Sequence, residues 1–280
     1  MTASLKRENV TSLKTLTGIV EDLSMEHKVL WFRGCGRSSY TLKPSLYRHP
    51  SVTQVRELLK LEEKITERFK QRCLPYLNQP ITLFPENPYW EWLFRMRHAG
   101  VPTRLLDWTE NPYIALYFAV TAAPYNIVNG HIEYDEDAAV WVIDPCAWNE
   151  KVLESIQWKD GILSPSDSGL DGYVLRSDIK LMRQEPSNMY GTHNSSNMVV
   201  QCGVFTIFGT SLSPMEEMYA SGDFLKDCLM KLEFPKDKIA GLIDSMLRIG
   251  YTDLIVSPSL EGLANEIKRI YGYLVGLCLK

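Results

Sequence analysis

The chain is predicted to fold as α+β, with a central, mostly antiparallel sheet flanked by helices. Three observations predict it. Stretches with helical spacing of apolar residues lie towards both ends of the chain; short apolar runs of strand length stand between them; and the composition is that of an ordinary globular protein. Of 280 residues, 45% are hydrophobic, 23% charged and 11% aromatic, a balance that supplies a core and leaves a polar surface.

Leu13, Leu16, Ile19, Val20 and Leu23 recur at three- and four-residue steps between Ser12 and His27, which predicts a helix. Val29-Leu30-Trp31-Phe32 follows as a strand ended by Gly34-Cys35-Gly36, and prolines, glycines and serines make the segment to Pro50 irregular. Val55, Leu58, Leu59, Leu61 and Ile65 predict a helix over 52–69, with charged residues on its other faces. A further helix is predicted over 88–99, stopped by Gly100 and Pro102, and its Trp90, Trp92 and Phe94 read as helix packing.

Thr109-Glu110-Asn111-Pro112 reads as a helix start with Thr109 as N-cap and the proline in the first turn. Ala138 to Ile143 is a buried strand ended by Asp144-Pro145; Val199 to Phe208 and Leu229 to Phe234 are two more. Between them, residues 161–197 are rich in Ser, Gly, Asp and Asn and predict loops, with Met182 to Met198 a candidate lid. Residues 235–249 and 260–275 close the chain as helices. Without an internal repeat or a long linker, the chain is expected to be a single domain over 1–280.

The formal charge of -4 argues against a general polyanion binder, since affinity for a phosphate backbone comes from clustered Lys and Arg. The six cysteines include no CxxC pair, which weighs against structural zinc and a disulfide framework. No window reaches the roughly 20 apolar residues of a membrane span, and no apolar signal segment opens the chain, so the expected compartment is the cytoplasm. A Gly-rich phosphate loop, GxSxG and HExxH are all absent, against a P-loop nucleotidase, an α/β-hydrolase and a zinc protease.

Four segments carry the candidate chemistry. Trp31-Phe32-Arg33-Gly34 puts a guanidinium at a strand end beside a glycine that permits close approach, which suits a phosphate or ribose; the alternative is a structural ion pair. Residues 97–109, Arg-His-Ala-Gly-Val-Pro-Thr-Arg-Leu-Leu-Asp-Trp-Thr, concentrate Thr103, Arg104, Asp107, Trp108 and Thr109. Gln201, in Val-Val-Gln-Cys-Gly, is predicted to be buried on a strand, either facing a site or latching strands together. The fourth segment is Ser-Pro-Ser-Leu-Glu-Gly-Leu-Ala-Asn-Glu-Ile-Lys near the C-terminus.

In that order the four motifs closely resemble the FRG domain family, named for its Phe-Arg-Gly motif, over a core of about 29–270 preceded by a helix over about 11–27. The family's second motif commonly reads Gln-His-Tyr-Gly-Leu-Pro-Thr-Arg-Leu-Leu-Asp-Trp-Thr, so this chain departs at Arg97 and Ala99. The layout is also similar in outline to ADP-ribosyltransferases, in which an early Arg-Gly strand is followed by a Thr-bearing strand entering a helix.

These resemblances imply a NAD-using ADP-ribosyltransferase-like enzyme or NAD glycohydrolase, with the family's association with mobile elements implying a toxin or phage-defence effector. NAD would be the co-substrate, with a protein or nucleic acid as acceptor and no membrane partner. Arg33 with Gly34, and Arg104, would hold phosphate, Thr103 and Thr109 would orient ribose, and Trp108 would stack on the nicotinamide. Asp107 or Gln201 would stand at the scissile bond, where cleavage builds positive charge on the ribose.

The strand position where a glutamate is expected holds Gln201, and Gln cannot offset that charge. The alternative is therefore a non-catalytic module that binds a nucleotide or a protein through the same residues. In that structural view Asp107 holds Arg104 or caps amides, and Trp108 belongs to the core. A third reading, a metal-dependent nuclease, would pair Asp107 with Glu133.

Overall fold

The computed structural model describes residues 5–76, 88–129, 131–191 and 200–276. In chain order its strands are β1 (Lys6–Asn9), β2 (Trp31–Cys35), β3 (Leu105–Thr109), β4 (Tyr125–Val128), β5 (His131–Tyr134), β6 (Ala138–Ile143), β7 (Ser187–Tyr190), β8 (Gly203–Ile207) and β9 (Leu229–Phe234). Its helices are α1 (Leu13–Glu26), α2 (Val55–Cys73), α3 (Pro88–His98), α4 (Pro112–Thr121), α5 (Pro145–Val152), α6 (Met215–Ser221), α7 (Ile239–Arg248), α8 (Asp253–Val256) and α9 (Leu260–Ile270).

Seven strands form one sheet in the order β1-β9-β6-β2-β3-β8-β7, and β4 and β5 form a separate hairpin. Every neighbouring pair in the large sheet is antiparallel except β1 with β9. This is the predicted α+β class.

Alternation along the strands sorts the core into two faces. Trp31 of β2, Leu106 and Trp108 of β3, Trp141 of β6 and Val204 of β8 pack on one face with Leu42, Leu58 and Trp148. On the other face, Phe32, Val140, Val142 and Leu232 meet α1, α4 and α7. Further along that second face, Leu105, Phe205 and Ile207 meet Trp90, Leu93 and Phe94 of α3. The prediction of Trp90 and Phe94 as helix packing holds on those contacts.

Local chemistry sets several boundaries. Ser12 caps α1, its hydroxyl accepting from the Thr15 N–H at 3.2 Å. For α4 the expected cap, Thr109, is corrected to Asn111, whose Oδ1 accepts from the N–H groups of Tyr113 at 2.9 Å and Ile114 at 3.3 Å. Thr109 is unavailable as a cap because it is the last residue of β3, paired to Phe32 on one side and Gly203 on the other.

The strand predicted over 199–208 is shorter. Val199 lies outside the described residues, Val200 is helical, Gln201 and Cys202 form a turn, and Cys202 takes a left-handed φ of 46° before β8 begins at Gly203. Gln201 is therefore a turn residue rather than a strand residue, and it is only half-buried.

Of the loop-rich region 161–197, residues 192–197 lie outside the described residues. The remainder is packed: Leu163, Leu170, Tyr173 and Met189 are buried, and β7 extends the sheet. Of the candidate lid, Met182 and Pro186 to Met189 are buried, Gln184, Glu185 and Tyr190 are exposed, and Met198 lies outside the described residues.

Candidate functional site

The sheet opens between β2 and β3. Phe32 and Thr109 are their one paired position, whereas β2 pairs with β6 through five residues and β3 with β8 through five. Beyond Phe32 the β3 backbone lacks a strand partner on that side. The Arg33 guanidinium supplies a donor instead, giving Nη1–H to the Asp107 carbonyl at 2.6 Å.

Over this opening, on the face shared by Phe32, Gly34, Asp107, Thr109, Gly203 and Phe205, lies a cavity of about 420 Å³. α3 bounds it with Phe94, Arg97 and His98, and α4 bounds it with Ala115, Phe118 and Ala122. Gln201 closes one end. Motifs far apart in the chain thus meet: Arg33 and Gly34, then Asp107, Trp108 and Thr109, then Gln201.

The charge of the site centres on Asp107. Arg97 grips its carboxylate from the side, Nε donating at 2.9 Å to Oδ1 and 2.7 Å to Oδ2, with Nη2 in a further short contact to Oδ2. Arg33 stands 3.8 Å from the same carboxylate. Burial opposes the charge on Arg97, but the Asp107 carboxylate outweighs it and lifts the guanidinium above its usual pKa.

A third guanidinium, Arg48, ends the turn Ser45–Arg48 that docks against this corner, where Leu46 N–H donates to the Thr103 carbonyl at 3.2 Å. Partial burial and the charges of Arg33 and Arg97 push Arg48 below its usual value. The cavity wall therefore presents two guanidinia to one carboxylate, with a third cation in electrostatic reach.

Other residues are committed locally. Gly34 makes room for protein backbone: a Cβ there would stand 2.0 Å from the Ala115 carbonyl oxygen of α4. Thr109 Oγ1 donates to the Gln201 carbonyl at 2.5 Å and accepts from Asn111 N–H at 3.1 Å. Gln201 Nε2–H donates to the Val256 carbonyl at 3.2 Å, so its amide joins β8's entry turn to α8. The Trp108 indole is 3% exposed and donates to Thr206 Oγ1 at 2.8 Å, which ties it into the core rather than offering a free stacking face.

Thr103 and Arg104 lie outside the cavity. Both are fully buried. Arg104 Nε donates to Glu62 Oε2 at 2.7 Å, Nη1 to the Phe208 carbonyl at 3.0 Å, and Nη2 to the Tyr173 carbonyl at 2.8 Å and to Tyr89 OH at 2.7 Å. Thr103 Oγ1 accepts from Leu105 N–H at 3.3 Å. An arginine whose donors are spent inside the protein has nothing left with which to grip a phosphate.

Glu133 sits on β5 of the separate hairpin, away from Asp107's cavity. Among the described residues, no group of three His, Cys, Asp or Glu is placed to hold a metal ion. Nor is any described helix long and apolar enough to cross a membrane.

Sequence reasoning treated Arg97 as a departure from a motif and passed over Arg48 and Phe118. Arg97 had a signal: it occupies the last turn of α3, and the Gly100-Val101-Pro102 reversal returns the chain so that residues ten apart face each other. Arg48, in an irregular segment, had none.

Fold and site together define a mixed α/β protein with a seven-stranded, mostly antiparallel sheet and an arginine-lined cavity where two strands part. Residues 28–126, about a third of the chain, match the family model described as FRG domain, and it is to that domain that this stretch is similar. No match is found among curated proteins or among solved structures, and the likeness to ADP-ribosyltransferases gains no support from these comparisons. The matched stretch supplies β2, α3, β3 and α4, and hence most of the cavity wall; β8 and Gln201 come from beyond it.

Proposed function

We propose that the cavity binds a phosphorylated nucleotide of the NAD class, with its phosphate at Arg33 and Arg97 and its planar ring against Phe94, Phe118 and Phe205. The observation that carries this reading is the excess of guanidinium over carboxylate in an aromatic-walled cavity. Arginine forks recognise phosphate oxygens in pairs, and aromatic faces accept a flat ring. At about 420 Å³ the space is in the range of small-molecule sites and suits a mononucleotide moiety.

The test is calorimetric titration of the purified protein with NAD, nicotinamide mononucleotide and AMP, beside the corresponding nucleosides. The reading expects the phosphorylated forms to bind at least about tenfold more tightly, a difference of about 1.4 kcal/mol, and Arg33→Ala or Arg97→Ala to erase the difference. Equal binding of nucleotide and nucleoside would refute it.

A second reading, cleavage of the nicotinamide–ribose bond, is favoured by one observation: the Asp107 side chain is 37% exposed although two arginines hold it. A carboxylate at the mouth of the cavity can face the positive charge that develops on the ribose. Consumption of labelled NAD that is lost in a folded Asp107→Asn variant would support it, with label on water, protein or nucleic acid naming the acceptor. Undiminished turnover in Asp107→Asn would remove Asp107 from the chemistry.

A further inference from the structure

A second cavity, of about 430 Å³, lies on the other side of α4, between the β4–β5 hairpin and helices α7, α8 and α9. Its walls are aromatic. Tyr117 and Phe118 of α4 meet edge to face with centroids 5.9 Å apart, and Tyr125 and Tyr134 of the hairpin do so at 5.9 Å.

The charges around it do not balance. Arg269 lines the cavity but is neutralised by Asp253, with Nε to Oδ2 at 2.7 Å and Nη2 to Oδ1 at 2.9 Å, and its Nη1 is held by the Val275 carbonyl. Among the described residues, the remaining formal charge in the wall is the Glu261 carboxylate. Glu261 sits in the first turn of α9, and its side chain has no hydrogen-bond or ion-pair partner among the described residues.

One further group is unmatched. Tyr134 is 8% exposed, and its hydroxyl is buried without a hydrogen-bond partner among the described residues. The phenolic oxygen is shut off from solvent, so what Tyr134 offers an occupant of the cavity is its ring.

We infer that this second cavity is a binding site for a small organic cation, an alkyl- or quaternary ammonium compound, held between the tyrosine faces and the Glu261 carboxylate. Aromatic walls attract a cation through the negative face of each ring while also burying its alkyl groups. A lone carboxylate beside a neutralised arginine sets the sign of the charge that fits. An anionic ligand would meet Glu261 with no free cation among the described lining residues to offset it.

The probe is choline, set against its neutral isostere 3,3-dimethylbutan-1-ol, in calorimetric and saturation-transfer titrations of the full chain. Choline is expected to bind in the millimolar range or below, and the neutral alcohol at least about tenfold more weakly. Glu261→Gln, a change at an exposed side chain, should weaken choline by about tenfold and leave both the alcohol and the melting temperature unchanged. Tyr125→Ala should weaken both ligands, and Arg97→Ala, in the other cavity, neither. No choline binding by about 10 mM, equal binding of choline and the alcohol, or full choline affinity in Glu261→Gln would each overturn the assignment.

Discussion

Replacing Glu62 by Gln separates a structural role for Arg104 from a ligand-binding one. Both side chains are 0% exposed, and Glu62 accepts two bonds from Arg104, from Nε at 2.7 Å and from the backbone N–H at 3.0 Å. Burial alone would lower the Arg104 pKa; Glu62 foremost, then Tyr89 and Tyr47, reverse this and raise it, so the guanidinium remains charged. Gln is almost isosteric but carries no charge, and it turns an N–H₂ towards a buried cation.

Removing one partner of a buried ion pair costs about 3–5 kcal/mol, because the other charge stays in a medium that cannot solvate it. Against a total stability of about 5–15 kcal/mol, that is a large fraction. For a protein of this size it lowers the melting temperature by about 6–20 °C. Urea unfolding followed by tryptophan fluorescence, with calorimetry beside it, measures the loss. A loss below about 1 kcal/mol would refute the argument that this pair anchors α2 to the start of β3. Nucleotide affinity per folded molecule should be unchanged at low temperature, and a tenfold fall there would return Arg104 to the binding site.

Two further outcomes follow from contacts elsewhere. Gly34→Ala puts a Cβ 2.0 Å from the Ala115 carbonyl and 2.7 Å from the Ala119 nitrogen, both backbone atoms. It should destabilise by about 2–4 kcal/mol in urea unfolding, and wild-type stability would show that α4 does not seat on β2 as described. The Asp253 carboxyl is pushed up by burial, but hydrogen bonds from Arg269 and Tyr117 outweigh this and hold it below the usual carboxylate range. Its contribution is fully present above the unfolded value of about 4 and is lost as the pH falls through the lower folded value. Unfolding free energy should therefore fall with acidification below about pH 4, with a shallower slope in Asp253→Asn, and equal slopes would refute the assignment.

Much of the scaffold was legible in the sequence because burial wrote it there. Ala138 to Ile143 and Leu229 to Phe234 are apolar runs whose predicted bounds coincide with β6 and β9, both central and covered on two faces. β1 and β7 left no such trace. Lys6–Asn9 is a polar edge strand held by backbone pairing to β9, and in Ser187–Tyr190 the buried Ser187 and Asn188 are polar, with Asn149 Oδ1 accepting from Asn188 N–H at 2.7 Å.

The site was legible in part, for a related reason. Arg33, Gly34, Asp107, Thr109 and Gln201 do line one cavity. Residue type alone could not say which arginine faces outward: Arg104, in the strongest motif, spends its donors inside the core, and Arg97, outside the usual pattern, holds Asp107. Gln201 was misplaced on a strand because two valines precede it, while the left-handed Cys202 that delays β8 carries no apolar signature.

Helix α4 separates the two cavities as a partition one helix thick, and the 37% exposed Phe118 is a wall of both. At Gly34 the helix backbone rests directly on β2, which leaves no slack at that point to absorb a displacement. A molecule that turns Phe118 towards one chamber withdraws it from the other. Thermodynamic linkage then makes the effect mutual: whatever factor the first occupant imposes on the affinity of the second, the second imposes on the first.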